Sequence, residues 1–155
     1  MISRVRGLTF LLLALSGCAP APPPKAVEQP KPDPTAQAWY APAVEQLAGM
    51  SRDAQSLFEG GKFEDAGKIV TDAQPLINKV LAAPRPTLAA MEAASDLDQL
   101  YGRMLMRDGR HGWARLQFQK NVTRWKHWQP QTDETRRRLA EAQAAIAECD
   151  RKLGQ

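Results

Sequence analysis

The sequence predicts an all-α protein made of antiparallel helical hairpins, about five helices in total. Three observations predict it. From Ala36 onward the composition turns to Ala, Leu, Gln, Glu, Lys and Arg, which lose little freedom in a helix. Apolar residues there recur at steps of three and four, the spacing of one helix face, and show no strand-like alternation. Gly60-Gly61, Pro84-Arg85-Pro86, Asp108-Gly109 and Pro130 separate the periodic stretches, as breakers between helices should.

The first helix is expected from about Ala36 to Glu59, with Pro42 able to mark its true first turn. Val44, Leu47, Met50, Ala54, Leu57 and Phe58 form its apolar stripe. The second runs from Phe63 to about Ala82, through Ala66, Ile69, Val70, Ala73, Ile77 and Val80; Pro75 inside it predicts a kink or a split. The third spans Thr87 to Arg107, with Met91, Ala94, Leu97, Tyr101, Met104 and Leu105 aligned. The fourth spans Gly112 to Trp128, with Ala114, Phe118, Val122 and Trp125 aligned. The fifth starts near Thr132, a good N-cap with Asp133 and Glu134 behind it. Its stripe is Leu139, Ala142, Ile146, Cys149 and Leu153, which makes Cys149 a small buried hydrophobe.

The N-terminus reads as an address rather than as structure. Arg4 and Arg6 precede an apolar run from Leu8 to Leu15, and the small residues Ser16 and Gly17 precede Cys18. That order is a secretory signal, here residues 1–17. The run is far shorter than the ~20 residues a membrane-spanning helix needs. Leu15-Ser16-Gly17-Cys18 resembles the lipobox of bacterial lipoproteins. The resemblance implies cleavage before Cys18 and lipid on its sulfur and new amine, hence a membrane held through Cys18. Ala19, where Asp would imply retention at the inner membrane, implies an outer-membrane lipoprotein facing the periplasm.

Residues 18–35 then form a lipidated cysteine and a proline-rich tether. Seven of the chain's twelve prolines fall between Ala19 and Thr35. With φ fixed and donors missing, the tether is expected to run as extended polyproline, reaching at most roughly 50 Å. Residues 36–155 suffice for one modest helical domain. With Cys18 consumed by lipid, Cys149 has no partner and a disulfide framework is not expected.

Two stretches of the domain superimpose. Ala54, Leu57, Gly61, Phe63, Ala66 and Val70 recur further along, all at one fixed offset, as Gly102, Leu105, Gly109, His111, Ala114 and Phe118. Gly serves the turn, and the small residues let two helices approach. The pattern is similar to the tetratricopeptide repeat, in which a small residue on one helix faces an Ala on the next. It departs from that family in its period, which is longer than the roughly 34 residues typical there. The closing proline of that family is also not at its usual place. A generic antiparallel bundle with Gly turns and Ala contacts reads the same residues equally well.

No catalytic set stands out. His111 and His127 lie sixteen apart with no cysteine or carboxylate at metal-ligand spacing, and no phosphate loop or nucleophile motif is present. No cofactor is expected, and neither is an enzyme. The net charge of +4 is uneven: Arg52–Leu100 carries five Lys/Arg against eight Asp/Glu, whereas Tyr101–Arg138 carries ten against three. The candidate partner-binding residues lie in this basic part: Arg124, Lys126, His127, Trp128, Arg136, Arg137 and Arg138. Trp125 is expected in the core and Trp128 partly exposed. The expected function is a non-enzymatic, membrane-anchored scaffold or assembly subunit that binds another envelope protein. The alternative is a module whose basic face holds an anionic envelope polymer or lipid head group. Nucleic acid is not an expected partner of an exported chain.

Overall fold

Turn chemistry sets where each helix starts and stops. The computed structural model describes residues 33–154; the predicted signal segment, Cys18 and nearly all of the tether lie outside them. A single 3-10 turn at Pro34–Ala36 precedes five helices: α1 (Tyr40–Glu59), α2 (Phe63–Leu81), α3 (Leu88–Arg107), α4 (His111–His127) and α5 (Asp133–Leu153). There is no strand among the described residues. The predicted ends hold to within a few residues. The first helix is the exception: Ala36 belongs to the separate 3-10 turn, and Pro42 lies in the first turn of α1.

Gly61 and Gly109 end their helices in the left-handed region, at φ 75° and 72°. Each lets the next residue's N–H reach back to a free helical carbonyl: Lys62 to Leu57 and Arg110 to Leu105, both at 2.8 Å. Thr87 caps α3 by accepting from the Ala90 N–H. Thr132 and Thr135 cap α5 reciprocally, each side chain accepting from the other's N–H. Pro75 neither splits nor ends α2. Its ring lies on the solvent side, and the carbonyl that loses a donor belongs to exposed Thr71, where water can serve it.

α1 packs on α2 and α3, α2 on α3, α3 on α4, and α4 on α5. The fold is thus two hairpins in series, α1/α2 and α3/α4, closed by α5. One core lies among α1, α2 and α3, around Leu47, Ala54, Ala73, Val80 and Leu97. A second joins α3, α4 and α5 through Leu105, Ala114, Phe118 and Cys149. Tyr101 packs against both, so the two form one continuous interior. Trp125 is fully buried, and so is Cys149, as the stripes predict.

The sequence offset holds in three dimensions. Ala54, Ala66 and Ala114 are fully buried, and Gly102 lies against Phe118. Every exposed position of α2 recurs, at that same offset, as an exposed position of α4. The sizes compensate. A Cβ on Gly102 would meet the Phe118 ring at 2.3 Å, whereas the equivalent pair, Ala54 and Val70, trades a larger residue on one helix for a smaller one on the other.

Candidate functional site

Between α3 and α4 the interior turns polar. Asp98 is only 2% exposed and accepts from Lys120 Nζ and from Arg124 Nη2, each at 2.9 Å. Arg124 also donates to Asn121 Oδ1. Asn121 is buried and gives its Nδ2 to the Ser95 carbonyl at 3.0 Å. One turn on, the Trp125 indole N–H donates to Ser95 Oγ at 2.8 Å. The buried groups of this seam are satisfied from end to end, so it fixes the register of α3 on α4; of its members only Lys120, half exposed, also reaches solvent.

The seam corrects the sequence reading of Arg124. Its side chain is 9% exposed and committed to Asp98, so it presents no charge at the surface. Of the arginine triplet, Arg138 is committed inside the domain, whereas Arg136 and Arg137 form ion pairs that stay exposed at the surface. Arg138 bridges Asp96 at 2.5 Å and Glu134 at 2.7 Å, and its guanidinium lies 5.5 Å from the centre of the Trp125 ring. Burial pulls the Arg138 pKa down, but the two carboxylates raise it further. Arg137 pairs with Glu134 and Glu141, and Arg136 with Asp133. The Arg137 side chain, backed by Arg138, holds the Glu134 carboxyl at about 2. Of the predicted contact residues, Lys126, His127, Arg136 and Arg137 are exposed and Trp128 is half-buried, edge-on to Trp125 at 6.5 Å. The basic excess of this segment answers carboxylates nearby more than it builds a free cationic face.

A different surface gathers polar groups that are not all paired. Two neighbouring hollows, one lined by α1 and α3 and one by α3, α5 and Phe118 of α4, share Gln99 and Arg103 and together make up a trough. Ser51, Arg52 and Gln55 of α1 form one wall, and Glu141, Glu148 and Arg151 of α5 form the other. Gln99 and Arg103 of α3 belong to both halves and make the floor. Arg103 Nη2 donates to Gln55 Oε1 at 2.5 Å, and its guanidinium lies over the Phe58 ring at 5.0 Å. Its Nε is buried and has no hydrogen-bond partner. A buried donor left unmatched costs about 1–3 kcal/mol, and this one has no exposed surface. Gln99, Glu141, Glu148 and Arg151 add donors and acceptors of both signs.

Sequence reasoning misses the trough. One signal points to it: Gln55 and Arg103 lie one repeat apart, at equivalent places, and meet side by side. Among the described residues no group of three His, Cys, Asp or Glu side chains comes together as a metal site. None of the described helices is long and apolar enough to cross a membrane. The Cys149 thiol is fully buried beside Met106, with burial first, then Asp150 and Glu148, pushing its pKa up.

Fold and surface together define a two-hairpin, all-helical domain with a polar trough on one side. Comparison with protein families, with characterised proteins and with solved structures finds no significant match.

Proposed function

We propose that this chain is a lipid-anchored protein of the bacterial envelope, held in the outer membrane facing the periplasm, which acts without catalysis as a scaffold or accessory subunit. In this reading Cys18 carries the lipid, residues 18–35 hold the domain away from the membrane, and the α1/α3/α5 trough receives a segment of another envelope protein. The observation that carries the partner role is Arg103: a half-buried guanidinium that lines both halves of the trough. A carboxylate or backbone carbonyl of the partner meets its outer N–H groups.

The anchor rests on the lipobox-like Leu15-Ser16-Gly17-Cys18 and the proline tether behind it. The repeat rests on the buried small residues at equivalent places, Ala54 with Ala66 and Gly102 with Ala114; we read it as tetratricopeptide-like, with α5 as the closing helix. Burial and internal pairing of Arg124 and Arg138 weigh against the anionic-polymer reading.

Two experiments test it. A palmitate analogue fed to cells should label the wild-type protein and not Cys18→Ser, and the variant should leave the membrane fraction. The membrane-held protein should also co-purify one envelope protein, and Arg103→Met should lose it while the domain stays folded, as far-UV circular dichroism and a single cooperative melt would show. Met keeps the packing on Phe58, so loss of the complex would report the guanidinium itself. Unlabelled wild-type protein contradicts the anchor, and a complex indifferent to Arg103→Met contradicts the trough.

A further inference from the structure

α2 and α4 do the same packing job, and their outward faces differ in a way packing does not require. Ala66, Val70, Ala73 and Ile77 face inward from α2, and Ala114, Phe118, Asn121 and Trp125 do so from the equivalent places of α4. On the solvent side the same offset replaces Glu64 with Gly112, Asp65 with Trp113, Lys68 with Leu116 and Asp72 with Lys120. Three carboxylates of α2 thus become a glycine, a tryptophan and a lysine. α4 contains no Asp or Glu at all.

Trp113 is 59% exposed and Leu116 53%, the two most exposed large apolar side chains among the described residues. They lie three residues apart, so they share one side of α4. Lys120 follows on that side, and Lys126 and His127 continue the exposed arc to the helix end. Lys120 is half exposed although its ammonium donates to Asp98 and Gln117, and Lys126 makes no ion pair among the described residues. The carboxylates flanking the helix in sequence are engaged elsewhere, Asp108 with Arg107 and Asp133 with Arg136. The fold accepts acidic residues at these places in α2, so an exposed indole and leucine beside lysines is a surface property.

We infer that the outer face of α4 docks on an anionic phospholipid surface. Trp113 and Leu116 enter the head-group layer, while Lys120 and Lys126 meet the lipid phosphates. Tryptophan suits that depth because its ring is apolar and its N–H stays hydrated, and juxtamembrane lysines are drawn to anionic head groups. The inference rests on α4 alone and stands apart from the trough and its partner.

The test uses the full chain reconstituted with vesicles that contain a brominated phospholipid, which quenches indole fluorescence on contact. The Trp113 signal is the difference between wild type and Trp113→Phe, a change on the open surface. In vesicles containing phosphatidylglycerol this signal should be largely quenched, and high salt or Lys120→Gln with Lys126→Gln should restore it. In phosphatidylcholine vesicles it should stay bright. A Trp113 signal unquenched in anionic vesicles overturns the inference, as does a chain that fails to stay with those vesicles. Equal quenching in both vesicle types also overturns it, since nearness to the anchor alone would then explain the contact.

Discussion

Gly102 on α3 and Phe118 on α4 are in contact so close that a single added carbon would lie 2.3 Å from the ring edge. The pair sets the spacing of the second hairpin. Gly102→Ala gains helix propensity of about 1 kcal/mol. It should nevertheless destabilise the domain by about 1–3 kcal/mol, because the buried Phe118 ring would have to shift to make room. Phe118→Val alone should cost stability by leaving a cavity. Gly102→Ala with Phe118→Val, which recreates the Ala54 and Val70 combination, should cost clearly less than the sum of the two. Thermal unfolding of the four proteins measures this, and simple additivity would show that the contact does not set the spacing.

The buried ion pair gives a second expectation. Asp98→Ala strands Arg124 in the interior and should cost about 3–5 kcal/mol. Asp98→Leu combined with Arg124→Met removes both charges and should recover much of that loss. Denaturant unfolding of single and double variants decides it. A double variant as unstable as Asp98→Ala would mean that the seam contributes beyond its charges.

The Glu134 carboxyl has the clearest acid signature. Its folded pKa lies at about 2, below the 4.5 of the free side chain, chiefly because Arg137 pairs with it. A depressed carboxylate contributes stability that is fully present above its unfolded pKa and is lost as pH falls through the folded one. The difference in melting temperature between wild type and Glu134→Gln should therefore be constant above pH 4.5 and shrink between 4.5 and about 2. The group is over a third exposed, so the difference should be small. A gap that widens on acidification would contradict the pairing.

Cys149 should react only through unfolding. Its thiol is fully buried and its pKa is raised by that burial. Labelling of the native protein by an aromatic disulfide reagent should be slow and should accelerate across the unfolding transition. Fast labelling under native conditions would place Cys149 at the surface.

The helices are legible in the sequence because local chemistry carries them: Gly61 and Gly109 at turns, Thr132 as a cap, and apolar stripes at helical spacing. The repeat is legible for the same reason. The polar interior is not. Asn121 takes a core position where the pattern points to Val122, and Asp98 lies buried four residues after Ala94 on the α3 stripe. Each is tolerated inside only because its partner arrives from the neighbouring helix, which no single stripe records. The basic surface misleads for a related reason. Arg124 looks free in the sequence because Asp98 is 26 residues away, and Arg138 because Asp96 is 42 away. Arg103 carries no signal in the stripe of α3, and only its place one repeat after Gln55 points to it.

Whether the α1/α3/α5 trough holds a protein can be read directly in cells. A photo-crosslinking residue replaces Gln99, on the trough floor, in the membrane-held chain; living cells are irradiated and the adducts identified. A trough that receives a partner yields one recurrent envelope protein, captured from Gln99, absent when the same residue replaces exposed Gln143 on α5, and lost with Arg103→Met. Equal capture from both positions, or adducts indifferent to Arg103, would contradict it.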